Sequence, residues 1–458
     1  MPVDVPVVPV ILAAGRGTRM HSARPKVLQA LAEKTLLAHV LDTVCGLELA
    51  PPVVVLGHAA DQVEAALGGN YVTATQSPQL GTGHALQCAL AAIDAAAVVL
   101  VLYGDVPLIR PQTLKALLAS RPSDGLALLT VTLPDPSGYG RIVRDDSGAV
   151  VGIVEERDAD ESQKALREVN TGIMAAPCAR WADWLSRVGC DNAQGEYYLT
   201  DCIALAKADG VPIATHRCHD IDETQGVNDR SQLAQAERVL RARRASALMR
   251  AGALLRNPDT IEIRGHVHVG SDVEIDNGAV FEGDVTLADG VRIGAHCVLR
   301  NCRLERGAEV LAQSVIDGAE VGAGCRIGPF ARLRPGTRLA AGAHVGNFVE
   351  IKNAEIDSGS KINHLSYIGD ASIGAGVNVG AGTITCNYDG VNKHRTRIGA
   401  HAFIGSNTAL VAPVSVGPGA TIGAGSVITR DAPDDKLTLA RARQSTIEGW
   451  RRPAKHKE

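Results

Sequence analysis

Two patterns of apolar and polar positions divide the chain. Over residues 6–227, short apolar runs alternate with stretches of helix-forming residues. Apolar runs between turn signals predict strands, and strand–helix alternation predicts a parallel sheet covered by helices on both faces. The predicted strands span residues 7–12, 53–57, 98–102, 126–133, 150–155 and 211–217.

From residue 263 onward, apolar residues recur at every sixth position, with slips between successive series. A period of six predicts a parallel β-helix of hexapeptide turns, in which each apolar residue points into a thin aliphatic core. The polar, turn-rich segment 385–397 breaks the period and is predicted to project as a candidate binding loop. The series are Ile263, Val269, Ile275, Phe281, Leu287, Ile293, Leu299; Val315, Val321, Ile327, Leu333, Leu339, Val345, Ile351; Ile362, Ile368; Ile373, Val379; and Ile398, Ile404, Leu410, Val416, Ile422, Ile428.

A helical stretch rich in arginine joins the two patterns. The chain is therefore predicted to have an α/β domain over 1–229, a linker helix over 230–251, and a β-helix domain with a C-terminal tail over 252–458. A solvated connector is the favoured reading of the helix. Nucleic-acid binding is the alternative, and the lack of aromatic stacking partners counts against it.

Composition narrows the class of protein. The 458 residues carry a net charge of −4, which gives no global reason to expect nucleic acid or a membrane as partner. Ten cysteines form no C-x-x-C pair, so we expect reduced thiols and a cytoplasmic protein. No signal peptide or membrane-spanning run is expected. Aromatic residues make up only 3% of the chain, so the cores must be aliphatic.

A glycine loop follows the first predicted strand. Gly15 and Gly17 allow backbone N–H groups to approach phosphate oxygens, and Arg19 and Lys26 supply charge. The loop is neither a P-loop nor a dinucleotide fingerprint. Asp105 follows another strand at the same edge of the sheet, where it could hold Mg²⁺ bound by phosphates. Taken singly, a glycine loop is ordinarily a tight turn, and an aspartate at a strand end is ordinarily a helix cap. Found together at the same edge of the sheet, the glycine loop and Asp105 favour a phosphate and Mg²⁺ site.

These and later motifs resemble the sugar-1-phosphate nucleotidyltransferases. Joined to a hexapeptide β-helix, the chain is similar to the family of bacterial bifunctional N-acetylglucosamine-1-phosphate uridylyltransferases/glucosamine-1-phosphate acetyltransferases. The resemblance covers nearly the whole chain. It implies an α/β Rossmann-like nucleotidyltransferase domain and a left-handed parallel β-helix. The motifs are LAAGRGTRM…PK (12–26), QLGTGH (79–84), YGDVPL (103–108), GYGRI (138–142), VEE (154–156), NTG (170–172), GEYYLTD (195–201) and GVNDR (226–230).

The resemblance implies a UTP and UDP-sugar site in the first half. It assigns the uracil to Gln76, Gly81 and Thr82, Mg²⁺ to Asp105 and Asn228, and catalytic charge to Arg19 and Lys26. The sugar phosphate would attack the α-phosphorus of UTP in line, with pyrophosphate leaving, which requires positioning and charge rather than a protein nucleophile. The implied nucleotide and sugar residues are Leu12, Ala13, Ala14, Gly15, Lys26, Gln76, Gly81, Thr82, Tyr103, Gly104, Asp105, Gly140, Glu155, Asn170 and Asn228.

In the second half, polar residues recur at near-multiples of the hexapeptide. Arg334, Lys352, His364 and Tyr367 are compatible with one shared groove. Acetyl transfer to an amine needs a base, and histidine has a suitable pKa. The resemblance makes His364 that base. It assigns glucosamine-1-phosphate to Arg334, Lys352, Tyr367 and Asn378, and acetyl-CoA to Ala381, Asn387, Tyr388, Ser406, Ala424 and Arg441.

The remaining expectations concern partners and alternatives. His266, His268, His344, His394 and His401 are interpreted as structural, and the basic tail 450–457 as a solvated end or a cover for a neighbouring subunit's acetyl-CoA site. The resemblance implies a homotrimer that acts on small molecules in the synthesis of envelope precursors, with no nucleic acid and no membrane insertion. Three alternatives remain: a β-helix that is only a scaffold, a purely structural protein, and a different nucleotide specificity.

Overall fold

The computed structural model describes residues 5–69 and 71–453, which form two compact units divided between Leu240 and Arg241. No helix among these residues is long and apolar enough to cross a membrane. The ten cysteines, all within the described ranges, are free thiols.

A nine-stranded mixed sheet forms the first unit. Its strands follow the order β9-β5-β8-β4-β1-β2-β3, and β6 pairs with both β8 and β7. β1, β2, β3 and β4 are parallel, but β8 runs antiparallel to β4 and β5. The strands are β1 Val7–Leu12, β2 Val53–Leu56, β3 Val72–Thr75, β4 Val98–Tyr103, β5 Leu126–Thr132, β6 Arg141–Arg144, β7 Val150–Val154, β8 Glu168–Pro177 and β9 Ile213–Cys218.

The expectation of a parallel sheet is therefore wrong at β6, β7 and β8, whose pairings are antiparallel. The predicted strands also did not include β3, β6 or β8. The physical reason lies in the sequence of β8, EVNTGIMAAP, where polar residues and a glycine interrupt the apolar positions. Val169 and Ile173 are nevertheless fully buried, because both belong to the apolar core on one face of the sheet.

Helices cover both faces of this sheet. Successive residues of β1 point in opposite directions, so Ile11 joins the core on one face and Val10 the core on the other. The second of these cores includes Trp181 and Trp184, whose rings meet edge to face at 5.7 Å. The helices are α1 Leu36–Cys45, α2 Ala60–Leu67, α3 Thr82–Leu90, α4 Pro111–Ser120, α5 Glu161–Lys164, α6 Cys178–Arg187, α7 Asp201–Ala208 and α8 Arg230–Arg250; short 3-10 turns span Thr18–Met20, Lys26–Leu28, Ile221–Glu223 and Pro258–Thr260, and a small hairpin joins Ala30–Leu31 to Lys34–Thr35.

The long helix α8 is more than a solvated connector. In the first unit, Ala236 is buried in a small apolar cluster, and the Glu237 carboxylate accepts a hydrogen bond from the Ala32 amide at 2.7 Å. In the second unit, Ala245 and Leu248 belong to the β-helix core. Arg241 forms an ion pair with Glu262 at 2.7 Å. Because these α8 residues contact other parts of the protein, the structure favours a connecting helix that is partly buried over a nucleic-acid-binding helix.

The second unit is a parallel β-helix with three faces. Register partners such as Val280, Val298 and Val315 lie 17 or 18 residues apart, so one coil comprises three hexapeptide-length sides. Three long strands, Glu262–Val269, Val280–Leu287 and Val298–Leu304, run through the corner between the second and third faces. The first face contains Leu254–Leu255, Glu274–Ile275, Arg292–Ile293, Glu309–Val310, Arg326–Ile327, His344–Asn347, Lys361–His364, Asn378–Val379, Phe403–Ile404, Thr421–Ile422 and Leu437–Thr438; the second continues with Val315–Asp317, Arg332–Leu333, Glu350–Lys352, Tyr367–Gly369, Ile384–Cys386, Ala409–Val411 and Val427–Ile428; the third continues with Glu320–Val321, Arg338–Leu339, Glu355–Ile356, Ala371–Ile373, Thr396–Ile398 and Val414–Val416.

The slips in the six-residue period all occur at one corner, between the second and third faces. Core residues on either side of that corner are five positions apart in several coils, from Leu299 to Leu304 and from Ile316 to Val321. One predicted core position is consequently wrong. Ile316 is fully buried in place of its neighbour Val315, because the shorter corner shifts the inward residue by one.

The projecting segment is shorter than the predicted 385–397. Thr385 and Thr396 are fully buried in coil strands, and the Thr385 hydroxyl oxygen accepts a hydrogen bond from the Gly369 amide at 2.7 Å. The chain leaves the coil only beyond Asn387, and Val391 at the tip is 83% exposed. The Thr385 hydroxyl is satisfied inside the coil, whereas the buried Thr396 hydroxyl has no hydrogen-bond partner among the described residues. Both threonines are thus polar residues within the coil, and their polarity misplaced both ends of the loop.

Candidate functional sites

A cavity of about 530 Å³ opens in the first unit at the carboxyl ends of β1 and β4. Ligands bind at this edge of α/β sheets because loops and helix N-termini converge there. Ten predicted nucleotide-site residues line the cavity: Leu12, Ala13, Ala14, Gly15, Lys26, Gln76, Gly81, Thr82, Tyr103 and Asp105. Gly104 is buried, and an added Cβ there would meet Leu37, Val27 and Ala13 at 3.3–3.4 Å.

The glycine loop packs closely against Lys26. Gly17 has a left-handed φ of 61°, and a Cβ at this position would lie 2.4 Å from the Cβ of Lys26. A larger residue would therefore displace the lysine from the cavity wall. Arg16 also lines the cavity and donates from Nε to Gln79 at 3.2 Å. Arg19 is exposed and lies outside the lining residues.

One ammonium group joins the two residues predicted to hold metal. Lys26 Nζ forms a short ion pair with the Asp105 carboxylate and donates to Asn228 Oδ1 at 3.1 Å. A carboxylate oxygen and an amide oxygen thus converge on a single cation. That donor set suits Mg²⁺, which takes one or two protein oxygens and completes its shell with phosphate and water. Across residues 5–69 and 71–453, no cluster of three or more His, Cys, Asp or Glu offers a metal site.

The predicted sugar residues form a neighbouring group. The backbone N–H of Asn170 donates to the Gly140 carbonyl at 2.8 Å. An added Cβ on Gly140 would lie 3.3 Å from the Glu155 carboxylate. The Thr200 hydroxyl donates to Glu155 Oε1 at 3.0 Å. Burial raises the pKa of Glu155 above the ordinary carboxyl range, although this hydrogen bond opposes the shift.

Tyr103 connects this group to the cavity. Burial raises the pKa of its hydroxyl, and the nearby carboxylates of Glu155 and Asp105 raise it further. The phenol is therefore neutral and available as a hydrogen-bond donor throughout the physiological pH range.

A second candidate site follows one corner of the β-helix, between the first and second faces. His364, Ala381, Ser406 and Ala424 take equivalent positions on successive coils, about 4.8 Å apart. Each of their carbonyl groups accepts a hydrogen bond from the next coil: from Gly382 N, Asn407 N, Gly425 N and the Arg441 guanidinium. The corner thus places the predicted base at one end of a straight row of predicted acetyl-CoA residues.

An amide from the preceding coil contacts His364. The ring Nδ1 lies 2.9 Å from Asn347 Oδ1, and the histidine is exposed beside a cleft of about 340 Å³. Because an amide oxygen only accepts, this contact favours the tautomer with hydrogen on Nδ1 and a free lone pair on Nε2. His344, interpreted as structural, lines the same cleft.

Three cations meet at the far edge of the second face. Lys352 is close to Lys393 and Arg334, and these two positive charges lower the pKa of the Lys352 ammonium, Lys393 having the larger effect. Arg334 also forms an ion pair with Glu350 at 2.8 Å. Such a concentration of positive charge suits a phosphate dianion.

The other predicted residues take different positions. Tyr367 crosses the second face, with its hydroxyl over Gly369. Asn378 lies on the first face, paired in register with Lys361. Tyr388 is 61% exposed on the projecting loop, whereas Asn387 is 7% exposed and donates its side-chain amide to Asp370. Asn387 is thus already engaged within the protein.

Several site residues were not predicted from the sequence. Asn347 could have been found from the coil length, since it precedes His364 by one coil of 17 residues. Lys393 lies in the projecting loop, beyond any periodic signal. Arg16 and Glu196 line the first cavity from within the motifs LAAGRGTRM and GEYYLTD, but neither residue was assigned a role.

Three family models match the chain: the MobA-like NTP transferase domain over residues 9–253, the GMPPB C-terminal domain over 263–352, and the bacterial transferase hexapeptide over 395–430. A "Bifunctional protein GlmU" of Alkalilimnicola ehrlichii is 58% identical and aligns over 97% of this chain and 96% of its own. Another of that name, from Ralstonia pickettii, is 55% identical over 98% and 99%. A solved nucleotidyl transferase from Methanothermobacter thermautotroptrophicus is 20% identical and covers 51% of this chain and 96% of its own, with a TM-score of 0.37.

Proposed function

The chain belongs to the family of bifunctional GlmU proteins, and from that premise we propose which residues carry its two activities. It is a uridylyltransferase and an acetyltransferase that contributes to cell-wall precursor synthesis. We assign uridylyl transfer to the first unit and acetyl transfer to the corner of the β-helix. The proposed product is UDP-N-acetylglucosamine, made from glucosamine-1-phosphate, acetyl-CoA and UTP.

In the first unit, the glycine loop and Lys26 bind the phosphates of UTP, and Gln76 and Gly81 contact the uracil. Gly140, Glu155 and Asn170 hold N-acetylglucosamine-1-phosphate. The sugar phosphate oxygen attacks the α-phosphorus, and the bond to the pyrophosphate leaving group breaks. Positioning and charge neutralisation supply the catalysis, so the chemistry requires no protein nucleophile.

Asp105 and Asn228 hold Mg²⁺ in this proposal. The ion would neutralise charge on the phosphates. Lys26, which contacts both oxygens in the ligand-free protein, then turns to the phosphates. The convergence of these three residues at the cavity is the observation that carries the assignment.

In the second unit, Arg334, Lys352 and Lys393 bind the phosphate of glucosamine-1-phosphate, with Tyr367 and Asn378 beside the sugar. The row Ala381, Ser406, Ala424 and Arg441 holds acetyl-CoA together with the Asn387–Tyr388 segment. The amine nitrogen attacks the thioester carbonyl, Nε2 of His364 takes the amine proton, and the C–S bond breaks to release coenzyme A. The straight row ending at His364 carries this assignment.

A crossed pair of variants tests both assignments. Asp105→Ala should lose most uridylyl transfer and retain acetyl transfer. His364→Ala should lose acetyl transfer by about 10²–10⁴-fold and retain uridylyl transfer. Pyrophosphate release and free-thiol release report the two reactions separately. Equal loss of both activities in either variant would indicate misfolding and would not support the assignment.

We further propose that the protein is a cytoplasmic homotrimer. The free thiols support a reducing compartment. The exposed apolar side chains along one corner, Phe330, Phe348 and Leu365, support association between copies.

A further inference from the structure

The Gln76 amide is held in one orientation by two acceptors. We propose that His84 is a positioning residue that fixes this orientation and thereby sets the selectivity for uracil over cytosine in the nucleotide. The inference rests on the proposed function, in which Gln76 faces the base.

The contacts distinguish the nitrogen of this amide from its oxygen. Gln76 Nε2 donates to the Gly81 carbonyl oxygen at 2.8 Å, and a carbonyl can only accept. The same nitrogen lies 3.3 Å from Nδ1 of His84. The residue is 4% exposed yet lines the cavity, and its Oε1 makes no hydrogen bond with any residue of 5–69 or 71–453.

His84 can accept this second hydrogen only as one tautomer. With both amide hydrogens directed at protein acceptors, Nδ1 carries the lone pair and Nε2 carries the hydrogen. Nε2 lies 3.7 Å from the sulfur of Cys88, one turn along α3, and sulfur is a weak acceptor. The Gly81 carbonyl and His84 Nδ1 therefore leave Oε1 as the group presented to a bound base, and the weak contact with Cys88 contributes little.

An acceptor at this position distinguishes the two pyrimidines. Uracil carries a hydrogen on N3, which can donate to Oε1, whereas N3 of cytosine is an acceptor and would face the oxygen unpaired. The Gly81 amide, at the N-terminus of α3 and likewise lining the cavity, can donate to a carbonyl oxygen of the base. A site built for hydrogen bonds rejects an analogue that leaves its polar groups unpaired. If the amide turned over, Nε2 would face N3 and the preference for uracil would weaken.

The test compares kcat/KM for UTP and CTP by pyrophosphate release, using the full chain. His84→Leu removes the acceptor, and we expect the UTP:CTP ratio to fall by about tenfold. His84→Asn keeps an acceptor near the position of Nδ1 and should retain most of the ratio. Cys88→Ala is the matched control on the same helix and should leave the ratio within about twofold, since thiol hydrogen bonds are weak.

Gln76→Ala separates failure of this inference from failure of the proposed function. If Gln76→Ala lowers the ratio while His84→Leu leaves it unchanged, the positioning role of His84 is overturned and the uracil assignment stands. If Gln76→Ala also leaves the ratio unchanged, the uracil assignment itself is overturned. A general packing defect would lower kcat/KM for UTP and for CTP together and leave their ratio unchanged. Should the leucine variant fail to fold in a thermal unfolding scan, His84→Met provides the same loss of acceptor.

Discussion

Individual ionisable groups in both sites have environments that oppose their charge. Burial raises the pKa of the Glu155 carboxyl group, and neighbouring cations lower the pKa of the Lys352 ammonium group. Groups of this kind destabilise the unliganded fold and become favourable when a ligand satisfies them. Removing such a charge should therefore stabilise the unliganded protein and weaken ligand binding.

Glu155→Gln should raise the thermal midpoint of the first unit and weaken sugar-phosphate use. Because the folded pKa lies above the unfolded one, the penalty is absent below the unfolded pKa and complete above the folded pKa. The gain in midpoint should thus be larger at pH 8 than at pH 5. Calorimetry at the two pH values measures it, and an equal gain at both would contradict the assigned cause.

Asn347→Ala should slow acetyl transfer about tenfold or less by freeing the His364 ring to adopt the other tautomer. Asn347→Asp keeps an oxygen acceptor at the same position and should retain more of the acetyl-transfer rate than Asn347→Ala. Uridylyl transfer is the internal control. Equal rates of acetyl transfer in the two variants would contradict the contact.

At the scale of elements, the stacking of coils turns a one-dimensional repeat into an aligned row. His364 lies in line with Ala381, 17 residues further along the chain, and with Ser406, a further 25 residues along because that coil contains the projecting loop. The same loop brings Lys393 back beside Lys352. Within that loop, Asp389 accepts hydrogen bonds from two backbone amides and contacts His394 at 2.7 Å. These bonds lower the pKa of Asp389 and fix the loop as an ordered hairpin.

Lys393→Met should raise KM for glucosamine-1-phosphate about tenfold or more with a smaller change in kcat, because it removes a charge from the phosphate cluster. It should also relieve the Lys352 ammonium, whose pKa should rise toward its ordinary value. Steady-state kinetics with Lys115→Met as an exposed lysine control gives the measurement. A change in kcat without a change in KM would contradict a role for Lys393 in binding the phosphate.

At the scale of the whole molecule, α8 contributes apolar residues to each unit separately. Ala236 completes a cluster with Met20, Leu31, Leu36 and Val227 in the first unit. A fragment ending at residue 228 would expose that cluster. A fragment ending at residue 240 should therefore make UDP-sugar from supplied N-acetylglucosamine-1-phosphate at a rate near that of the full chain and be more stable than the shorter one. Denaturant unfolding of the two fragments tests this, and equal stabilities would contradict the role of the helix.

The full chain should be trimeric at micromolar concentration. Light scattering should return three times the 47.8 kDa mass of one chain. Phe348→Glu, at an exposed apolar corner position, should shift the mass toward that of a monomer. A monomeric mass for the unaltered chain would rule the proposal out.

The sequence by itself determined the two architectures. A period of six and strand–helix alternation follow from local geometry, since most inward positions are apolar, and so they are visible in one dimension. The phosphate loop and Asp105 were likewise identified from local spacing, whereas the roles of Gln76 and Glu155 were implied by the resemblance to a known family. Glu168–Pro177 and the corner beside Ile316 were missed or misplaced because burial there comes from neighbours distant in the chain.

Only the tertiary structure decided which side chains meet. Lys26 joins Asp105 and Asn228 across 79 and 202 positions of sequence, and Asn347 reaches His364 by the stacking of coils. The orientation of the Gln76 amide depends on a carbonyl and a histidine arranged by a helix N-terminus. Hydrogen bonds and charge pairs act over a few ångströms, and folding alone determines which distant residues come within that range.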